Sequence, residues 1–309
     1  MVKHHIIGHT NPDTDAICSA LVYESYMKKT NQDAQAYRLG ELNNETKYVL
    51  EQVNQEAPEL ISEFEEGTSI ILLDHNEAKQ SIDNLEKYSI YQVIDHHKFA
   101  FDTKDPLYIR AEPIGCTCSI LAKMFWENNV EISKEEAKLM ISAIISDTLF
   151  FRSPTSTPED KEIMNKLNEI AQIEDLESYS LEMFAAKSDL GNIPATQLVK
   201  TDYKEFEFGG ETYGIGVMET TSPEYGLNRY DEIKQSLIDI RESDNLKGTF
   251  LSIVDILEEK NYTIYSDENM RGNLINAFDA HEENNIIHLG NILSRKKQIV
   301  PALKEYIEN

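Results

Sequence analysis

Cysteine is scarce in this chain of 309 residues: Cys18, Cys116 and Cys118 are the only three, and no two of them form a CxxC pair. An odd count without that spacing argues against a disulfide framework or a zinc knuckle. It favours reduced thiols, buried as small hydrophobes in a reducing compartment. Long apolar runs are missing as well, since none approaches the roughly 18 residues of a membrane span. The opening Met1-Val2-Lys3-His4-His5 lacks the apolar stretch and small-residue cleavage site of a secretion signal, so a cytoplasmic protein is expected. Positive charge is also short, with 29 Lys and Arg against 55 Asp and Glu and a net charge of -26. So acidic a chain is repelled by nucleic acid and by anionic membranes, and neither is an expected partner. An anionic substrate would have to be drawn in locally, by bound cations and a few placed basic groups. The single concentrated basic run is Arg295-Lys296-Lys297. Internal repeats and low-complexity tracts are absent.

The length exceeds the usual single core, so two domains are expected. Residues 3–9 read as a first strand and 16–29 as a helix with apolar residues at helical spacing. The short runs 69–74 and 90–94, rich in Ile, Leu and Val, read as parallel strands buried on both faces. A helix is expected over 133–147. Thr157, Pro158 and Asp160 then form an N-cap, a first-turn proline and a capping-box acid for a helix to about 172. Gly191 and Pro194 punctuate a linker over 189–195, which divides a domain over 1–188 from a smaller one over 196–309. In the second, 204–208 and 211–218 flank Gly209-Gly210 as a hairpin, and a helix follows over about 229–243. Pro301 suggests an interruption in the terminal helix. The expected fold is α/β: an N-terminal domain with a mainly parallel sheet flanked by helices, plus a smaller mixed-sheet α/β C-terminal domain.

Acids and imidazoles collect at the ends of these runs. His9, Asp13 and Asp15 follow the first strand, Asp74 ends SIILLD, Asp95, His96 and His97 end YQVIDHH, and Asp147 ends MISAIISD. A buried carboxylate without a counter-charge costs several kcal/mol, so acids at the ends of apolar runs imply bound cations. In open α/β sheets, ligands gather beyond the carboxyl ends of the strands, where these residues can converge. His9, His96, Asp13, Asp15, Asp74 and Asp147 offer two imidazoles and four carboxylates, which would just neutralise two divalent cations. Asp74, lying centrally, is the natural bridge. Two such ions about 3.5–4 Å apart can share a hydroxide nucleophile and clamp the oxygens of an in-line displacement at phosphorus. The thiolate-free ligand set suits Mn²⁺, Fe²⁺ or Co²⁺ better than structural zinc. Asp95 is read as orienting an imidazole, with direct ligation or a backbone hydrogen bond as the alternatives. His97 is expected on the opposite side from His96, where it could donate to phosphate. His4, His5, His75, His281 and His288 read as ordinary surface or core histidines.

Taken together, GHTNPDTDAICSA, LLDHNE, VIDHH, RAEPIGCTCSIL, LMISAIISDTLFFRSPT and SRKKQIVP resemble the family II inorganic pyrophosphatases of the DHH phosphoesterase superfamily. The resemblance implies hydrolysis of pyrophosphate to two orthophosphates by a metal-bridging hydroxide at a dinuclear Mn²⁺ site between two domains. Co²⁺ is a possible substitute, and a further Mg²⁺ is carried with the substrate. By that resemblance His9, Asp13 and Asp74 hold one ion, while Asp15, Asp74, His96 and Asp147 hold the other. His97, Lys204, Arg295 and Lys296 bind phosphate and, with Asp13, Asp15 and Asp74, make up the catalytic set. The second domain is implied to be of the DHHA2 type, closing over the substrate, and the assembly a homodimer. The rival enzyme reading is a DHH-type phosphoesterase acting on polyphosphate or short, including cyclic, oligonucleotides. Such relatives carry a GGGH-type motif, whereas Gly209-Gly210 has no following His. A metal-dependent sensor without catalysis is the rival from another class, and the intact ligand set speaks against it.

Overall fold

The computed structural model describes residues 2–103 and 106–308, and it divides into two compact units, Met1–Ala186 and Lys187–Asn309. The first unit is built on strands β1 (His4–Ile7), β2 (Ala34–Arg38), β3 (Glu59–Leu60), β4 (Ser69–Leu73), β5 (Ser89–Asp95) and β6 (Tyr108–Ala111). Around them run helices α1 (Thr14–Lys29), α2 (Asn44–Gln52), α3 (Thr117–Glu127), α4 (Lys134–Thr148), α5 (Pro158–Ala171) and α6 (Leu176–Ser188), whose last two residues fall in the second unit. The strands form one six-stranded sheet in the order β3-β2-β1-β4-β5-β6, and every pairing is parallel. The run 69–74 behaves as a strand buried on both faces should, with Ile70 to Leu73 free of solvent exposure, but the run 90–94 does so only at Val93 and Ile94: Ile90 and Gln92 are half-buried and Tyr91 is 42% exposed. In this order the chain leaves β1 in one direction and β4 in the other, so the crevice for a ligand opens beyond the ends of those two strands. The His9–Asp15 turn and Asp74 follow them directly.

Local chemistry accounts for the helix starts. Asp13 accepts from the Ala16 amide at 3.0 Å as the N-cap of α1, which therefore opens two residues before the Ala16 expected from periodicity. Thr157 and Asp160 form the reciprocal capping box of α5 with Pro158 in its first turn, as the sequence predicts.

The second unit contains α7 (Ala195–Lys200), β7 (Tyr203–Phe208), β8 (Glu211–Thr220), α8 (Glu224–Leu227), α9 (Tyr230–Ser243) and β9 (Gly248–Asp255). After these come β10 (Lys260–Tyr265), α10 (Glu268–Phe278), β11 (His281–Glu283), β12 (Ile286–Gly290) and α11 (Val300–Glu308). Its sheet runs β11-β12-β10-β9-β8-β7 and is mixed: β8 and β9 pair in parallel, and the other pairs are antiparallel. One face packs Ile233, Leu237 and Ile240 of α9 onto Leu251, Ile253 and Ile264, while the other packs Leu274 of α10 and Leu303 of α11 onto Ile215 and Phe250. Gly209 and Gly210, at φ +59° and +79°, make the hairpin turn. The break expected near Pro301 lies just before it, where a wide π-type turn over Arg295–Ile299 passes into α11. Pro301 sits in the first turn of α11, where a missing N–H costs least. Among the described residues, no helix is long and apolar enough to cross a membrane.

Candidate metal centre

Six side chains from four separate stretches of the first unit meet beyond the ends of β1, β4 and β5. Asp74 stands in the middle, 2 % exposed and with φ +61°, a left-handed conformation that costs a non-glycine residue of order 1 kcal/mol. Its Oδ2 faces His9 Nε2 at 3.5 Å and its Oδ1 faces His96 Nε2 at 3.4 Å. Asp13, whose Oδ1 caps α1, turns its Oδ2 to within 3.5 Å of the same His9 nitrogen. On the other side, Asp147 Oδ2 lies 3.7 Å from His96 Nε2. Two donor groups result, His9 with Asp13 and Asp74, and Asp15 with Asp74, His96 and Asp147; within each, the donor atoms lie within 4.8 Å of one another. The two groups share Asp74.

These separations are informative. At 3.4–3.7 Å the imidazole and carboxylate atoms are too far apart for hydrogen bonds. They suit neighbouring ligands of one ion at about 2.0–2.2 Å from each. His96 Nε2 is buried without a hydrogen-bond partner, while its Nδ1 bonds the Ile114 carbonyl at 2.9 Å, so the ring is oriented to present a lone pair inward. The electrostatics agree. Burial, then repulsion from Asp74, pushes the Asp15 carboxyl up to about 7, and burial with repulsion from Asp15 drives Asp147 well above the ordinary range. Burial opposes ionisation of Asp74 too, but the His9 and His96 imidazoles facing its two oxygens outweigh it and hold this carboxyl below the ordinary range. For His9, burial is likewise overcome by Asp13 and Asp74, which raise it to about 11. The residues present fit a pair of divalent cations, which would relieve the repulsion and occupy the orphaned nitrogen.

The chain segment entering α3 secures this arrangement, and sequence reading missed it. Asp15 accepts from the Thr117 amide at 2.6 Å and the Cys118 amide at 3.1 Å, an anion at a helix N-terminus. Thr117 Oγ1 donates to Asp74 Oδ1 at 3.0 Å. Asp160, besides capping α5, accepts from the Gly115 amide at 2.9 Å and so holds the segment that carries the Ile114 carbonyl. Behind Asp147, three successive left-handed residues, Leu149, Phe150 and Phe151, break off α4 at φ +48°, +50° and +67°. Such strain, about 1–3 kcal/mol per residue, is tolerated where the surroundings enforce it.

His97 differs from expectation. β5 ends at Asp95, so strand alternation no longer separates the two histidines; their rings lie 4.1 Å apart and both line the cleft, of about 830 Å³, that exposes the cluster. Asp95, which is fully buried, orients His97: its Oδ1 lies 2.9 Å from His97 Nδ1, and its Oδ2 accepts from Asn76 at 2.6 Å. His75 stays apart, bonded to the Leu73 carbonyl and Ser81, and burial lowers it to about 4.

The basic residues belong to the second unit. Lys204 is exposed on β7 opposite Ile215 of β8, and Arg295 donates to the Ile215 carbonyl at 3.2 Å and the Asp202 carbonyl at 2.6 Å. Its guanidinium also pairs with the Asp202 carboxylate, which engages three of its five N–H donors. Lys296, in the turn before α11, is exposed. Lys204 and Arg295 thus lie about the first residues of β7, and Lys296 follows Arg295 in the chain.

Comparison with known proteins places this architecture. Residues 3–144 match the model of the DHH family N-terminal domain and residues 181–306 that of the DHHA2 domain. A Deinococcus radiodurans protein named "Probable manganese-dependent inorganic pyrophosphatase" is 46% identical over 97% of this chain and 98% of its own. The Bacillus subtilis protein named "Manganese-dependent inorganic pyrophosphatase" is 43% identical over 99% of each chain. The chain belongs to the family II, manganese-dependent inorganic pyrophosphatases. A crystal structure from Methanococcus jannaschii named for the same family II pyrophosphatases superposes with a TM-score of 0.63 at 34% identity, covering 99% of this chain and 100% of that one. The parallel first sheet and mixed second sheet are therefore those of a family II pyrophosphatase.

Proposed function

We propose that this family II pyrophosphatase hydrolyses inorganic pyrophosphate to two orthophosphates at a dinuclear manganese centre. The observation that carries the reading is the division of the donors into two groups that share Asp74, with its two oxygens facing opposite histidines. His9, Asp13 and Asp74 would hold one Mn²⁺, and Asp15, Asp74, His96 and Asp147 the second, with Co²⁺ an effective substitute. Bound there, the ions supply Lewis acidity and activate the attacking water.

The chain's own groups do the rest. Phosphoryl transfer depends mainly on positioning and on neutralising charge at the phosphate oxygens. Hydrogen bonding to Asp95 raises the His97 pKa and fixes Nδ1 toward that carboxylate, which leaves Nε2–H to donate to a phosphate oxygen. We assign Lys204, Arg295 and Lys296 to the remaining phosphate oxygens, with a Mg²⁺ accompanying the substrate. In this reading the first unit holds the metals and the second supplies the cations for phosphate. A homodimer is supported by β6, an edge strand with Tyr108 and Ile109 47% and 46% exposed, where a second copy would cover apolar side chains and extend the sheet. Three buried free cysteines support a reducing, cytoplasmic setting.

The test is phosphate release from pyrophosphate, ATP, tripolyphosphate and a dinucleotide after chelator treatment, with Mn²⁺, Co²⁺ or Mg²⁺ restored in turn. Strong preference for pyrophosphate with Mn²⁺ or Co²⁺ is expected, and Lys296→Ala should raise KM while metal content stays at wild type. Equal turnover of the dinucleotide, or an Asp74→Ala protein cleaving pyrophosphate at the wild-type rate, refutes the proposal.

A further inference from the structure

The β11–β12 hairpin brings together three metal-ligating side chains that take no part in the centre around Asp74. Its two-residue turn, Asn284-Asn285, has both residues left-handed, at φ +52° and +64°, as a type I′ hairpin requires. The turn fixes the register so that Glu283 lies opposite Ile286 and His281 opposite His288. With a side-chain period of two, His281, Glu283 and His288 share one face, while Ile287 and Leu289 enter the core from the other. The two imidazoles stack with centroids 4.8 Å apart at 16°, and Tyr262 of β10 braces His288 edge-on at 5.3 Å. One donor atom each from His281, Glu283 and His288 lies within 4.8 Å of the others.

We propose that this hairpin face binds one divalent transition-metal ion of the zinc type. Two imidazoles and one carboxylate select Zn²⁺, Ni²⁺, Co²⁺ or Cu²⁺ over Mg²⁺ and Ca²⁺, which prefer all-oxygen shells. Zinc holds such donors at about 2.0–2.2 Å. Cross-strand Cβ atoms about 5 Å apart allow both imidazoles to reach one ion by side-chain rotation alone. His281 and Glu283 are exposed, so that rotation meets little resistance, and water would complete the shell. The chain's net charge of -26 favours cation capture. The ion would tie the edge strand β11 to β12.

The test compares wild type with His281→Asn and His288→Asn. Each protein is loaded with Mn²⁺, equilibrated with Zn²⁺, desalted and assayed for metal content. Because displacement at the Asp74 centre is common to all three, the difference reports the hairpin alone. Each variant is expected to hold one equivalent of zinc less than wild type, with unchanged pyrophosphate hydrolysis, and to lose the increment of Co²⁺–imidazole absorption that wild type shows beyond the Asp74 centre in a parallel titration. His281→Asn alters an exposed side chain and keeps the comparison valid should His288→Asn misfold. Equal zinc content in wild type and His281→Asn, with superimposable Co²⁺ spectra, overturns the proposal.

Discussion

Thr117→Val isolates the contribution of a single hydroxyl to the metal centre. Valine keeps the shape of threonine, so the fully buried site is neither emptied nor overfilled, and the Thr117 amide still donates to Asp15. What disappears is the 3.0 Å hydrogen bond to Asp74 Oδ1, the oxygen that also faces His96. A hydrogen bond to a charged group is worth about 1.5–3 kcal/mol, which at about 1.4 kcal/mol per decade corresponds to about 10- to 100-fold in an equilibrium constant. Removal of a group that orients a metal ligand independently suggests a loss of about 10- to 100-fold in metal affinity. The two estimates coincide. Calorimetric titration of the chelator-treated protein with Mn²⁺ should therefore show weaker binding of that size at unchanged stoichiometry, and Thr117→Ser should restore it. A Thr117→Val protein that binds Mn²⁺ within about twofold of wild type would refute the argument that this hydroxyl fixes Asp74.

Gly8→Ala tests the junction of β1 and α1: a Cβ there would lie 2.8 Å from both Ala16 Cβ and the Ala16 carbonyl oxygen, so α1 must retreat. A loss of about 1–3 kcal/mol in unfolding free energy is expected by denaturant titration, and unchanged stability would contradict it. The second prediction concerns pH. Asp15 rises from 3.8 to about 7 on folding through burial and Asp74, so the metal-free protein holds an extra proton and its stability from this group falls as pH climbs from about 4 to about 7. His9, raised to about 11 despite its burial by Asp13 and Asp74, adds a loss of the same sign above 6.5. Melting of chelated protein should weaken from pH 5 to 8, and the gain on adding Mn²⁺ should widen, because the ion displaces those protons. A gain that shrinks with rising pH would contradict this account.

The metal-site candidates were legible because an acid ending an apolar run, as Asp74 ends SIILLD, is costly enough to demand an explanation from sequence alone. The parallel first sheet followed from the same runs. What supports those candidates was not legible. The amides of Thr117 and Cys118 carry no side-chain signature, and the threonine between two cysteines drew attention to its neighbours' thiols. His281 and His288 read singly as ordinary residues, because their pairing depends on a hairpin register that only the two left-handed asparagines set. His97 was placed on the wrong side by extending strand alternation past Asp95, where the strand stops. Arg295 stood out as part of a basic triplet, but its engagement by Asp202 arises from the antiparallel pairing of β7 with β8, beyond the reach of local pattern.

Asp74 turns one oxygen toward His9 and the other toward His96, and its backbone is pinned in an uncommon twist. A hinge of this kind couples its two neighbours mechanically: swinging the carboxylate to favour one withdraws it from the other. If two ions are held as proposed, a substitution at either flank is therefore felt at the other through this carboxylate, and so is one at the Thr117 hydroxyl behind it.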